Sequence, residues 1–446
     1  MINLTFQEAA TLLGLTTPHQ GSFTGFSIDT RTLKPGNLFI ALPGENVDGH
    51  DYIPAAEKAG AAAILASRAC ETKLPVFIVQ DATLALGKLA KAWRHRFHIP
   101  FIAVTGSNGK TTTKNMIASI FTAACDNHPD HVLATLGTLN NHWGLPLTLG
   151  RLNAEHHYAV IEMGMNHFGE IDYLSRLTEP NIALITNAGP SHLEGVGDLA
   201  GVARAKAEIF NGLVPGGMAI LNRDDHFYDQ WASQVKQHLS FGLHASADVR
   251  ADITLLNNQQ QLNITTPKGN INITLPLLGK HNALNALAAT AAALSAGIDL
   301  KHIKMGLEAV APASGRMQVH TLNGMTIIDD TYNANPLSLQ AAVDTLANFE
   351  GKKIVVLGDM KELGQDAANL HETAGENMRS AGIDYLFTLG ELTQHTSKAF
   401  GEKAQHFNEA NALITALKPL LNNNTTILVK GSRSMHMEKV IASLVA

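Results

Sequence analysis

Short apolar runs alternating with amphipathic stretches dominate the chain. Phe101-Ile102-Ala103-Val104, Tyr158-Ala159-Val160-Ile161, Ile182 to Ile185 and Met218 to Leu221 are brief and β-rich, the pattern of parallel strands buried on both faces. After the first of them Met116, Ile117, Ile120, Phe121 and Ala124 recur at helical spacing. A helix is predicted over residues 82–97, carrying Lys88, Lys91, Arg94 and Arg96 and stopped before Pro100. Ahead of it lie a short helix, Phe26 to Arg31, Asn37 to Leu42 and a Pro43-Gly44 turn, which make a small mixed unit. Between Asp248 and Leu278 the text turns to alternating Ile, Thr and Asn with Gly and Pro, predicting antiparallel strands added to the central unit. From Met325 a third series of strands, ending at Gly358, Gly390 and Gly431, alternates with helices.

The expected fold class is therefore α/β in three domains. They are a small mixed αβ N-terminal domain over 1–81, a central parallel-sheet domain over 82–312 and a C-terminal doubly wound, Rossmann-like domain over 313–446.

Composition narrows the function. The net charge of −6 argues against a general nucleic-acid or anionic-membrane binder, which needs a basic footprint. Two cysteines, Cys70 and Cys125, build neither a disulfide framework nor a cluster of thiolates and suit a reducing compartment. The first residues carry no basic region ahead of an apolar core, and no run approaches the twenty apolar residues of a membrane span. A cytoplasmic protein with no nucleic-acid partner and no membrane insertion is expected.

The strongest chemical signal is Thr105-Gly106-Ser107-Asn108-Gly109-Lys110-Thr111-Thr112, set between an apolar strand and a helix. That context marks a phosphate-binding loop: free N–H groups and the positive end of the helix dipole face the anion, Lys110 reaches the outer phosphates and the Thr111 hydroxyl can ligate magnesium. The commoner spacing G-x-x-x-x-G-K-[ST] places glycine where this chain has Val104, so the loop must turn differently.

Other residues are weaker alone. Glu162 ends a buried strand where the loop opens, which suits a magnesium ligand or a surface glutamate. His192 follows the strand Ile182 to Ile185, yet it is one of 21 histidines and reads as well as a solvated side chain. Lys206, within a helical stretch, reads as a solvated cation. Asn282 opens an alanine-rich helix and can cap it or bond a base edge. Arg316 and the loop Asp329 to Pro336 lie beside the second boundary, where a cleft is expected; Arg316 could neutralise a terminal phosphate and Asp330 could accept from a ribose hydroxyl.

Taken together these segments resemble the Mur ligases, ATP-dependent amide-forming enzymes of peptidoglycan precursor synthesis, over nearly the whole chain. Thr105 to Thr112 is similar to that family's T-G-[ST]-x-G-K-T-[ST] loop, which accounts for Val104. The resemblance implies ATP and Mg2+ as cofactors and a monomer. Gly106, Ser107, Asn108, Gly109, Lys110, Thr111, Thr112, Asn282, Arg316 and Asp330 are the implied ATP contacts, and Lys110, Glu162, His192, Lys206 and Arg316 the catalytic set. Thr111, Glu162, His192 and Lys206 are the implied metal contacts, with Lys206 carbamylated. Asp329 to Pro336 and Val356 to Gly364 resemble the member that adds D-alanyl-D-alanine to UDP-N-acetylmuramoyl-tripeptide, whereas the D-N-P-R signature of the diamino-acid-adding member is absent. Folylpolyglutamate synthetase is similar in its loop but differs at Asp330 to Pro336. Ser27, Asp29 and Arg31 are similar to a uridine-diphosphate-binding stretch, Asn140 and Asn141 to a substrate-facing segment, and Tyr332, Asn333 and Asn335 become candidate dipeptide contacts. Two alternatives stay open: a related ligase with another acceptor, or a nucleotide switch that forms no bond.

Overall fold

Three sheets of mainly parallel strands follow one another in a computed structural model that describes every residue except 45, 46, 257, 258, 323 and 446. The first has four parallel strands in chain order, Phe26–Ser27, Leu38–Ile40, Ala63–Ala66 and Val76–Ile78, beside a two-stranded antiparallel pair. Strand Phe26–Ser27 is shorter than the run Phe26 to Arg31 suggested, because Asp29 folds its carboxylate onto the Arg31 N–H and turns the backbone.

The central sheet has six parallel strands in the order His238–Phe241, Met218–Asn222, Ile182–Ile185, Phe101–Thr105, Tyr158–Glu162, Val132–Ala134. Its middle strand, Phe101–Thr105, is buried throughout and leads through the loop into helix Lys110–Ala124. Thr105, Glu162 and Ile185 thus end at one edge, where ligands of open α/β sheets bind. The expected antiparallel extension is present as Arg250–Leu256, Gln259–Thr266 and Gly269–Leu275.

The third sheet runs Gln318–Leu322, Met325–Asp330, Thr425–Lys430, Lys352–Gly358, Tyr385–Leu389, Ala404–Phe407; only its first strand is antiparallel.

Alternation along the strands divides the cores. Phe101, Ala103, Ala159 and Ile161 face a core shared with Leu4, Phe6, Leu38 and Leu65 of the N-terminal part, while Ile102, Val104 and Val160 face helices Lys110–Ala124 and Lys280–Ser295. Helix Ala82–Arg94 lies in the shared core and begins with Asp81 accepting from the Leu84 N–H. It ends three residues before the predicted Phe97, where the Arg94 guanidinium turns back to the carbonyls of Phe97, Thr178 and Glu179. The third sheet keeps two cores of its own, one around Ile328, Val355 and Leu357 and one around Ile327, Ile354 and Val356. No helix among the described residues is long and apolar enough to cross a membrane.

Candidate active site

The phosphate loop turns at Gly106, whose φ is +144°, rather than at the Val104 position, which stays in the strand. A side chain at Gly106 would collide with the Thr186 hydroxyl, and one at Gly109, φ +80°, with the Asn285 amide. The segment after strand Ile182–Ile185 props the loop from the side. Thr186 Oγ1 donates to the Asn108 carbonyl at 2.6 Å, Asn187 Oδ1 accepts from the Asn108 N–H at 3.0 Å, and Ser191 Oγ donates to Ser107 Oγ at 2.9 Å. Lys110 Nζ lies over the loop, donating to the Gly106 and Ser107 carbonyls at 2.6 and 3.1 Å. Burial pulls this ammonium down to about 8; Glu162 opposes the fall and Arg316 adds to it. An anionic ligand held there would favour the protonated form.

Three buried polar atoms around this loop have no hydrogen-bond partner: Thr111 Oγ1, Glu162 Oε2 and Lys206 Nζ. Such atoms are costly to leave unmade. The hydroxyl and carboxylate are hard oxygen donors and fit a magnesium ion that also takes phosphate oxygens. Asn140 fixes the Glu162 carboxylate, its Nδ2 donating to Oε1 at 2.8 Å. Lys206 is fully buried, and burial chiefly, with the Lys110 charge second, lowers its ammonium far below the ordinary value. It lies outside the lining of the cavity that the other four predicted catalytic residues share. His192, at a left-handed φ of +55°, pairs through Nδ1 with Glu362 Oε2 at 3.1 Å.

That cavity, about 770 Å³, has the phosphate loop on one wall and residues 316–341 on the opposite one. Arg316 stands on the far wall with its guanidinium 4.0 Å over the Tyr332 ring. Asp330 is more constrained than the sequence suggested. One oxygen bonds the Lys430 ammonium and the other accepts from the Met317 N–H, and burial raises the carboxyl despite that lysine. Asn335 caps helix Pro336–Ala347 and exchanges amide bonds with Asn108 at 2.9 and 3.3 Å, tying the far wall to the loop. Asn333 gives its carbonyl to Lys430.

Other predicted residues fall in separate places. Asn282 lines the cavity but does not cap: Gly279 holds the cap position, and Asn282 Nδ2 donates back to the Leu278 carbonyl at 2.8 Å. Asn141 accepts from the Trp143 and Gly144 N–H groups, a turn contact, though it too lines the cavity. Ser27, Asp29 and Arg31 form a local cluster on the N-terminal sheet, with Arg31 forked onto Asp29, and none of them lines this cavity. Sequence reasoning missed Asn285, Thr186, Asn187 and Lys430. Lys430 carries a legible signal, a lysine closing an otherwise apolar strand and buried at 2% exposure.

Known proteins resemble the chain in sequence and fold. The Mur ligase family catalytic domain model matches residues 22–94, the Mur ligase middle domain model 104–293 and the Mur ligase glutamate ligase domain model 315–433. The UDP-N-acetylmuramoyl-tripeptide--D-alanyl-D-alanine ligase of Escherichia coli is 43% identical, over 93% of this chain and 92% of that protein. The crystal structure of MurF from Acinetobacter baumannii superposes with a TM-score of 0.93 at 34% identity, covering 100% of this chain and 99% of that one. MurF from Thermotoga maritima, in complex with ADP, gives 0.85 at 26% identity over 94% of this chain and 96% of that one. With a Gly-Lys-Thr loop facing an arginine across a cavity, and relatives matched along almost its full length, the chain belongs to the Mur ligase family.

Proposed function

We propose that the protein joins D-alanyl-D-alanine to UDP-N-acetylmuramoyl-tripeptide while converting ATP to ADP and phosphate. The observation that carries this reading is one cavity holding Lys110, Thr111 and Glu162 on one wall and Arg316 on the other. A resting carboxylate does not accept an amine, so an oxygen of the tripeptide's terminal carboxylate attacks the γ-phosphorus and ADP leaves. The dipeptide amine then attacks the acyl carbon of the acyl phosphate, orthophosphate departs with the carboxylate oxygen, and the amine gives up a proton. Both steps crowd negative charge, and positioned countercharge is the main catalytic device. Lys110 and the loop N–H groups hold the β- and γ-phosphates, and Arg316 takes up charge developing on the transferred group.

Thr111 and Glu162 would hold magnesium, which when bound screens the triphosphate. Lys206 is suited to carbamylation, because a neutral amine is the form that adds carbon dioxide, releasing a proton and gaining anionic oxygens. With His192 released from Glu362, that group would complete a second cation site. We assign Asn282 and Asp330 to the nucleoside, Ser27, Asp29 and Arg31 to the uridine diphosphate, and Tyr332, Asn333, Asn335, Asn140 and Asn141 to the peptide parts. We take 1–81, 82–312 and 313–446 as the working domains of a cytoplasmic monomer.

The test is phosphate release with substrates omitted in turn. Release requiring both the UDP-linked tripeptide and D-alanyl-D-alanine is the expected result. Release indifferent to both would make the protein a nucleotide switch.

A further inference from the structure

The far end of the phosphate-loop helix carries chemistry that the ligase reaction does not use. Helix Lys110–Ala124 closes at Cys125, and the chain runs on as Cys125-x-x-His128-x-x-His131 before strand Val132–Ala134. His157 stands just ahead of strand Tyr158–Glu162, and its N–H donates to the His131 carbonyl at 2.8 Å. The backbone thus sets His157 beside His131.

Their side chains converge. Cys125 Sγ lies 3.8 Å from His157 Nδ1, the His131 and His157 rings are 4.7 Å apart, and the His128 ring is 5.2 Å from that of His131. One donor atom from each of Cys125, His131 and His157 falls within 4.8 Å of the others. Among the described residues, the rings of His128 and His131 make no side-chain hydrogen bond. A thiolate with two imidazoles is a donor set for a borderline ion of the zinc class, with water or His128 in the fourth position; it offers none of the hard oxygens magnesium takes.

We propose that Cys125, His131 and His157 bind one zinc-class divalent ion, which ties the end of the phosphate-loop helix to the start of the Glu162 strand. This site lies the length of a fifteen-residue helix, about 22 Å, from the loop. Its ion crosslinks the two elements whose opposite ends carry Lys110, Thr111 and Glu162. Cys125 would bind as the thiolate, its thiol proton passing to buffer as the metal–sulfur bond forms.

Cobalt(II) is the probe, titrated into the chelator-treated full-length protein. One equivalent should produce a thiolate-to-cobalt charge-transfer band that one equivalent of zinc abolishes and millimolar magnesium leaves intact. Cys70→Ser should keep the band and Cys125→Ser lose it. His157→Ala, at an exposed position that does not endanger folding, should weaken binding at least tenfold, as should His131→Ala. In hydrogen exchange, zinc should slow the amides of residues 120–126 in the parent protein and not in His157→Ala. No band in the parent, a band that follows Cys70, or a band indifferent to both histidine substitutions would overturn the proposal.

Discussion

The central sheet is joined to its two neighbours in opposite ways. Toward the N-terminal part the junction is a continuous apolar core, in which Leu86 and Leu89 of helix Ala82–Arg94 share one cluster with Phe6 and Leu38 of the N-terminal part and Phe101 and Ile161 of the central sheet. Toward the C-terminal part the third sheet keeps its own cores, and the bridges are smaller and partly polar: Asn108 with Asn335, His192 with Glu362, and Leu337 against Gly189. An apolar junction of close-packed side chains resists opening, whereas a few hydrogen bonds with water as an alternative partner separate at little cost. The chemistry sits at the second kind of junction. That placement would let the far wall, with Arg316, arrive and leave around substrates while the N-terminal part stays fixed to the sheet.

The largest effects are expected where both walls meet the triphosphate. Lys110→Ala on the loop and Arg316→Ala on the far wall should each lower kcat by roughly 10²- to 10³-fold with the fold intact, read by steady-state phosphate release and circular dichroism. Near-normal turnover in Arg316→Ala would confine catalysis to the central domain and dissolve the contrast between the junctions. Next comes the apolar junction. Leu89 is fully buried, and Leu89→Ala should cost about 2 to 5 kcal/mol in denaturant unfolding of the N-terminal and central parts. The smallest effect belongs to the polar junction. Glu362→Gln breaks a pair whose glutamate side chain is 59% exposed, and should change unfolding by no more than about 1 kcal/mol. It should instead raise hydrogen exchange across residues 189–196. A larger loss of stability there than at Leu89 would reverse the comparison.

Much of this was legible in the residues. Both series of buried strands, the antiparallel extension and the loop were readable because apolar runs and a Gly-Lys-Thr turn leave local traces. The polar set around the loop was only half visible. Glu162 could be named since it ends a strand, but its support, Asn140, comes from a distant segment, and Thr186 and Asn187 prop the loop through contacts nearly eighty residues away in sequence. Asn282 read as a cap because it opens a helix; the glycine before that helix, at φ +97°, holds the cap position instead. Asp330 read as a free acceptor because its partner Lys430 lies 100 residues on. Long-range pairing of polar groups has no period to betray it.

Activation of the tripeptide's carboxylate by the γ-phosphoryl group within this cavity is what would set a ligase apart from a nucleotide switch. Labelling that carboxylate with oxygen-18 and analysing the phosphate by mass spectrometry tests it most directly. One labelled oxygen in the released phosphate, dependent on Lys110 and Arg316, is the predicted result; phosphate carrying oxygen from solvent alone would contradict it.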